Sequence, residues 1–343
     1  MSDAEAAEPP HPRETTAWFG HAEAERKLLD AFRSGRIAHA WLIGGPAGIG
    51  KATLAYRMAR FVLANPDPDA PGVQAARSLA VAPEHPAARR VAAQSHTDLL
   101  VLERTAGPTG ALRTVITVDE VRRTVSFFGS TAGEGGWRVC VVDTADELQY
   151  PQASNALLKV LEEPPARALF LIVSHSPGRL LATIRSRCRR LMLRPLAEED
   201  VARAAAAALE RPGDDAEIHE AARAAQGSVA RAITLLGGRT LAIRERVFEL
   251  LRALPAVDAA AMHALGDTLA RADAAALEAF LDALRDWLSS RLTVEAESPA
   301  RLARVAEVWE KLNRAAGEVE EFNLERKPLV FAAFGLLAEA ARG

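Results

Sequence analysis

Between Ala22 and Leu193, short unbroken apolar runs alternate with stretches whose apolar residues recur every three to four positions. The runs are His39-Ala40-Trp41-Leu42-Ile43, Asp98-Leu99-Leu100-Val101-Leu102, Arg138-Val139-Cys140-Val141-Val142-Asp143 and Leu169-Phe170-Leu171-Ile172-Val173. Runs this short, with no polar face, suit strands of a parallel sheet covered on both sides. The periodic stretches predict helices. Leu28, Leu29 and Phe32 mark one over 22–32, which Ser34-Gly35 stops. Another runs from the glycine-rich turn after Ile43 to about Leu63. A third covers Thr117 to Phe128 and opens on an N-cap, and a fourth covers Pro151 to Glu163, with Leu157, Val160 and Leu161 on one face and Pro164-Pro165 as its stop. Strand and helix in this alternation predict an α/β fold with a parallel sheet.

The rest of the chain has other patterns. Residues 1–16 carry Pro9, Pro10 and Pro12 without a hydrophobic period and read as a flexible tail. Residues 65–95 read as a polar, proline-bearing insertion of undefined order. From Leu241 onward everything reads helical: Leu241 to Leu254, Ala274 to Leu292, Ala300 to Ala315 and Asn323 to Leu337, with Phe280, Leu284, Trp287 and Leu288 at helical spacing. Trp287 and Trp309 are expected to be core residues.

A chain of 343 residues exceeds one typical core and predicts two or three domains. Its 42 basic and 45 acidic side chains nearly cancel, so no global field draws it onto nucleic acid, and any DNA contact must be local or shared with partners. Cys140 and Cys188 are the two cysteines and form no Cys-x-x-Cys pair, which points away from a zinc ribbon or disulfide framework and toward a reducing, cytoplasmic setting. The acidic N-terminus and the lack of an apolar run near ~20 residues argue against an exported or membrane-spanning chain.

The chemistry-bearing stretch is Gly45-Pro46-Ala47-Gly48-Ile49-Gly50-Lys51-Ala52-Thr53, between the first strand and its helix. Strand, glycine-rich loop, helix is the order of a phosphate-binding P-loop: Gly45, Gly48 and Gly50 let backbone N–H groups converge on an anion, and Lys51 adds a point charge. A hydroxyl directly after the lysine would coordinate magnesium, but that position is Ala52; Thr53 is one residue late and, on a helix, faces elsewhere. Asp143 ends the third strand where ligands of open α/β sheets collect, and reads as the Walker B aspartate. The next residue, where a glutamate would polarise the attacking water, is Thr144. Asp146 and Glu147 read as solvated turn residues, and His175 as structural. Glu162 and Glu163 place negative charge at the negative pole of a helix, which hints at an interaction elsewhere. Thr183-Ile184-Arg185-Ser186-Arg187-Cys188-Arg189-Arg190 is a basic cluster, either a solvated edge or a means of presenting arginine to a phosphate.

Gly45 to Lys51, Val139 to Asp143, Asn155-Ala156-Leu157-Leu158-Lys159-Val160-Leu161-Glu162-Glu163-Pro164-Pro165 and Ile184-Arg185-Ser186-Arg187-Cys188 together resemble the clamp-loader branch of the AAA+ ATPases, in its bacterial DNA polymerase III form. The motif-level match runs from about Trp18 to Pro195. The resemblance implies an AAA+ P-loop domain over 17–195, a small helical lid over 196–238 ending at Gly237-Gly238, and an all-helical collar for oligomerisation over 239–343. It implies partners: motor subunits and a delta subunit in a pentameric ring, the sliding clamp, and primed DNA reached through the assembly. It also implies that Arg187 serves as an arginine finger acting in trans on a neighbour's ATP.

Departures from the pattern place the chain among stator-like, non-motor members. Besides Ala52 and Thr144, the lid motif Gly227-Ser228-Val229-Ala230-Arg231 carries Ala230 where a sensor arginine belongs, with Arg231 displaced by one. The insertion after the P-loop helix lacks the four cysteines of some relatives, so no zinc is expected. ATP or another nucleotide remains a candidate occupant of the loop formed with Thr53 and Asp143, while the chain's own ATPase is expected to be absent or vestigial and no polymerase chemistry is expected. The alternative from another class is an ATP-hydrolysing motor subunit, or another P-loop ATPase such as a helicase.

Overall fold

The structure, a computed structural model, describes residues 10–107, 112–129, 136–236, 239–270, 272, 274–294, 299–321 and 324–342. The chain forms two compact units, one ending at Ala232 and one beginning at Ile233.

The first unit is built on a five-stranded parallel sheet: β1 (Ala40–Gly44), β2 (Leu99–Leu102), β3 (Arg138–Val142), β4 (Ala168–Ser174) and β5 (Arg189–Met192), in the order β2-β3-β4-β1-β5. Helices α1 (Ala22–Arg33), α2 (Lys51–Ala64), α3 (Pro71–Ala75), α4 (Pro86–Ala92), α5 (Val118–Gly129), α6 (Gln152–Glu162) and α7 (Ala182–Arg187) connect and cover the strands. The unbroken apolar runs follow from burial on both faces. Trp41, Ile43, Val139, Val141, Leu169 and Leu171 pack with Leu28, Phe32, Leu54 and Met58 of α1 and α2 on one face. The alternate residues Leu42, Cys140, Val142, Phe170 and Ile172 pack with Val121, Phe128, Leu157 and Leu161 of α5 and α6 on the other. The α/β architecture expected from the sequence is thus the one observed, with β5 as an edge strand that the basic cluster concealed.

One expectation is corrected and one open question is answered. Residues 65–95, whose order the sequence left undefined, are fastened to the sheet unit: Val73, Leu79, Ala87 and Val91 are buried, and Glu25 pairs with Arg57 at 2.7 Å while accepting the Leu79 N–H at 2.8 Å. Of the expected tail, residues 1–9 lie outside the described residues. The remainder is held against α2, where Arg57 donates to the Thr16 carbonyl at 3.0 Å and Arg60 to those of Arg13 and Thr15 at 2.7 and 2.6 Å.

Two further helices, α8 (Glu198–Ala208) and α9 (Ala216–Ala224), pack together in this unit, and α10 (Val229–Leu236) begins there. Gly237-Gly238, the expected boundary, lies outside the described residues. The second unit consists of helices: α11 (Arg239–Arg252), α12 (Ala259–Ala270), α13 (Ala274–Val294), α14 (Pro299–Glu321) and α15 (Arg326–Arg342). Val247, Leu265, Leu269, Phe280, Leu284, Leu288, Val330 and Phe334 form its core, with Trp287 and Trp309 half-buried against it. The apolar period does not single out α12, an alanine-rich helix whose polar residues are His263, Asp267 and Thr268.

Candidate phosphate site and basic edge

β1 delivers the chain to the loop at its carboxyl end, and α2 begins at Lys51. The loop turns through left-handed glycines: φ is +74° at Gly48 and +91° at Gly50. Gly48 also has no room for a side chain, since a Cβ there would come within 2.2 Å of the Ser228 Oγ. The loop's carbonyls are taken up by its own chain. Ser228 Oγ donates to the Ala47 carbonyl at 3.1 Å, Ala230 N to that of Gly48 at 3.2 Å, and His21 Nε2 lies 3.0 Å from that of Ile49. Lys51, buried, donates through Nζ to the Pro46 carbonyl. By contrast, the backbone N–H groups of Ala47, Gly48 and Ile49 have no protein acceptor among the described residues. The donors an anion would use are free, so the residues present suit a phosphate group.

Strand order decides what faces the loop. Because β4 lies between β1 and β3, the end of β4 separates Lys51 from Asp143. Asp143 follows β3 with its N–H bonded to the Leu102 carbonyl at 2.9 Å. Burial, joined by repulsion from Glu103 and Glu147, pushes its carboxyl up to about 6 against the pull of Lys51. Burial pulls the Lys51 ammonium down to about 8, with Asp146 and Asp143 opposing. Burial likewise lowers His175, and Lys51 adds to the effect.

Asp146 is not a solvated turn residue. Its carboxylate accepts four hydrogen bonds: from Thr144 Oγ1 at 3.0 Å, Ser174 Oγ at 3.0 Å, His175 N at 2.6 Å and Ser176 N at 3.0 Å. Although partial burial pushes upward, these bonds hold its carboxyl below the ordinary value. Thr144 is buried, and its hydroxyl also lies 3.2 Å from the Val173 carbonyl. The position where a water-polarising glutamate would stand therefore serves to fasten β3 to β4. Glu147 pairs with Arg104 at 2.9 Å. At the position after Lys51, Ala52 offers no oxygen, and Thr53 is half-buried one residue further along α2. Gly45, Gly48, Gly50, Lys51 and Asp143 are gathered at the carboxyl edge of the sheet.

Arg187 is not among them. It ends α7 beside the amino end of β5, where Arg189 is level with Trp41 at the start of β1. The length of β1, about 15 Å at ~3.3 Å per residue, separates it from the loop. Its Nη2 donates to Glu162 Oε1 at 2.8 Å and its Nη1 to the Thr183 carbonyl at 3.0 Å. Glu162 ends α6, and this pairing is the interaction its unfavourable position foreshadowed. Burial raises the neighbouring Cys188 thiol to about 11, which leaves it protonated and inert. Among the described residues no group of three or more His, Cys, Asp or Glu is placed to hold a metal ion.

Ser228 and Asp146 are the site residues that sequence reasoning missed. Ser228, directly after a left-handed glycine and before a helix, had a readable N-cap signal. Asp146 had none, because three of its four donors, Ser174, His175 and Ser176, come from a distant part of the chain.

The family model described as "DNA polymerase III, delta subunit" matches residues 20–197. The DNA polymerase III subunit delta' of Pseudomonas aeruginosa is 41% identical over 151 residues, covering 44% of this chain and 42% of that protein. Its Escherichia coli counterpart is 34% identical over 173 residues, covering 50% and 47%. The DNA polymerase III subunit gamma/tau of Mycobacterium bovis is 29% identical over 276 residues, covering 78% and 44%. The chain thus spans somewhat under half the length of these curated relatives.

Proposed function

From the premise that this chain belongs to the DNA polymerase III delta subunit family, we propose that it is the delta-prime-type, non-motor subunit of a clamp loader. In this reading it stands in a pentameric ring with motor subunits and a delta subunit, helps open the sliding clamp and set it on primed DNA in the cytoplasm, and lends Arg187 to the ATP of a neighbour. Residues 196–238 act as its lid and 239–343 as its collar.

The observation that carries the reading is the use made of Thr144. Its buried hydroxyl donates to Asp146 and lies near the Val173 carbonyl, so the position that would carry a water-polarising glutamate holds a strand fastener and supplies no carboxylate. Ala52 removes a magnesium ligand from the same site. When bound, a nucleotide supplies phosphate charge, which the N–H groups of Ala47, Gly48 and Ile49 and the Lys51 ammonium would hold. Asp143 would face the same edge, and Thr53 would stand behind it. Holding without turnover is what this set of residues supports.

The position of Arg187 supports action in trans, since it lies at the opposite end of the sheet from its own loop. A planar guanidinium suits a phosphate's charge during transfer. The purified chain is expected to show negligible magnesium-dependent ATP turnover, and Arg187→Ala to slow hydrolysis by the reassembled loader. Brisk turnover by the chain alone would instead identify a motor subunit.

A further inference from the structure

We propose that Glu162 is the positioning residue that orients Arg187 for a neighbouring subunit's nucleotide. The inference rests on the arginine-finger reading and adds how the finger is held. Glu162 is the last residue of α6, where the helix's unpaired carbonyls already gather negative charge and an acid is disfavoured. That same end is a good seat for a cation. The Arg187 guanidinium, 25 residues away in sequence, occupies it, with Nη2 on Glu162 Oε1 at 2.8 Å. Nη1 is meanwhile on the Thr183 carbonyl at 3.0 Å. Two supports from two different elements fix the plane of the guanidinium as well as its place. Its remaining donors have no protein acceptor among the described residues and are available to a phosphate.

The strength of the pair separates positioning from concealment. Side-chain exposures of 33% for Arg187 and 49% for Glu162 mean that water screens the attraction. A single screened carboxylate is a poor lock against a triphosphate, whose charge is larger. It is sufficient to select one rotamer of a long side chain, and donors ordered before the reaction stabilise developing charge without reorganising. Thr183 supports the same orientation from the other side, so Glu162 supplies half of a cradle.

The test is steady-state ATP hydrolysis by a clamp loader reassembled from its motor subunits, delta subunit and this full chain, with sliding clamp and primed DNA present and ring assembly checked by size exclusion. Arg187→Ala is expected to lower kcat. Glu162→Ala is expected to lower kcat about three- to fivefold, the scale of a half-exposed pair, with KM for ATP unchanged. Glu162→Gln, whose amide oxygen still accepts from Nη2, is expected to recover at least about half of that loss. Adding Glu162→Ala to Arg187→Ala is expected to cost nothing more, because Glu162 acts only through the arginine. A kcat for Glu162→Ala at or above the unaltered value, which a concealing latch would give, overturns the proposal. So does a loss carried by KM, a Glu162→Gln variant as slow as Glu162→Ala, or a further loss in the double variant. An unaffected Arg187→Ala loader would overturn the finger reading itself, whereas a slow Arg187→Ala beside an unaffected Glu162→Ala removes only the role of Glu162.

Discussion

The Ser174 hydroxyl donates to the Asp146 carboxylate at 3.0 Å, joining the end of β4 to the turn that follows β3, 28 positions away in the chain. The N–H groups of His175 and Ser176 and the Thr144 hydroxyl complete the set on the same carboxylate. Asp146→Ala is expected to destabilise the chain by about 1–2 kcal/mol, the cost of losing several charge-assisted bonds at a site water partly reaches. Urea unfolding of the two proteins measures it. The folded carboxyl lies below its unfolded value, so this stability is present above the unfolded pKa of ~3.9 and fades as pH falls through the folded one. The gap between the two proteins should therefore close in acid.

Asp143 has the opposite sign. Its carboxyl is raised from 3.8 to about 6, chiefly by burial, so between those values the folded chain holds a proton that the unfolded chain has lost. Stability is expected to fall as pH rises through this window, by at most about 3 kcal/mol. Asp143→Asn should flatten that fall, and urea midpoints taken at intervals from pH 4 to 7 would show it.

Lys51 ties anion binding to pH. Burial brings its ammonium down to about 8, so the charge that would meet a phosphate declines as pH rises past that value. Affinity for a fluorescent ATP analogue is expected to fall above pH 8 in the intact chain. In Lys51→Ala it is expected to be weaker throughout and to lack that step. An intact chain with level affinity from pH 7 to 9 would remove Lys51 from the phosphate cradle.

The helical unit offers a test independent of nucleotide. Arg244 on α11 pairs with Asp286 on α13 at 2.6 Å, with side-chain exposures of only 9% and 13%. Removing one partner of a buried pair forfeits its attraction while the other charge stays out of water. Asp286→Ala is expected to cost about 2–4 kcal/mol, read as a lower urea midpoint in the helical circular-dichroism signal.

What the linear order of residues determined is local. The apolar runs named four strands, the Gly45–Lys51 spacing named the loop, and Ala52 and Thr144 showed which groups were lacking, because each depends on residues adjacent in the chain. Arg187 was singled out by its neighbours in the same way. The fifth strand stayed hidden because arginines fill half of its exposed edge, and α12 because its many alanines suit either face of a helix and blur the period. Tertiary structure alone decided the pairings. With β4 seated between β1 and β3, Asp146 meets Ser174 and His175. The segment before α10 brings Ser228 to Ala47 across 181 residues, and the end of α6 meets the end of α7 so that Glu162 reaches Arg187. A carboxylate's role depends on which donors lie within about 3 Å, and the strand order, formed from apolar burial along the whole sheet, sets those distances.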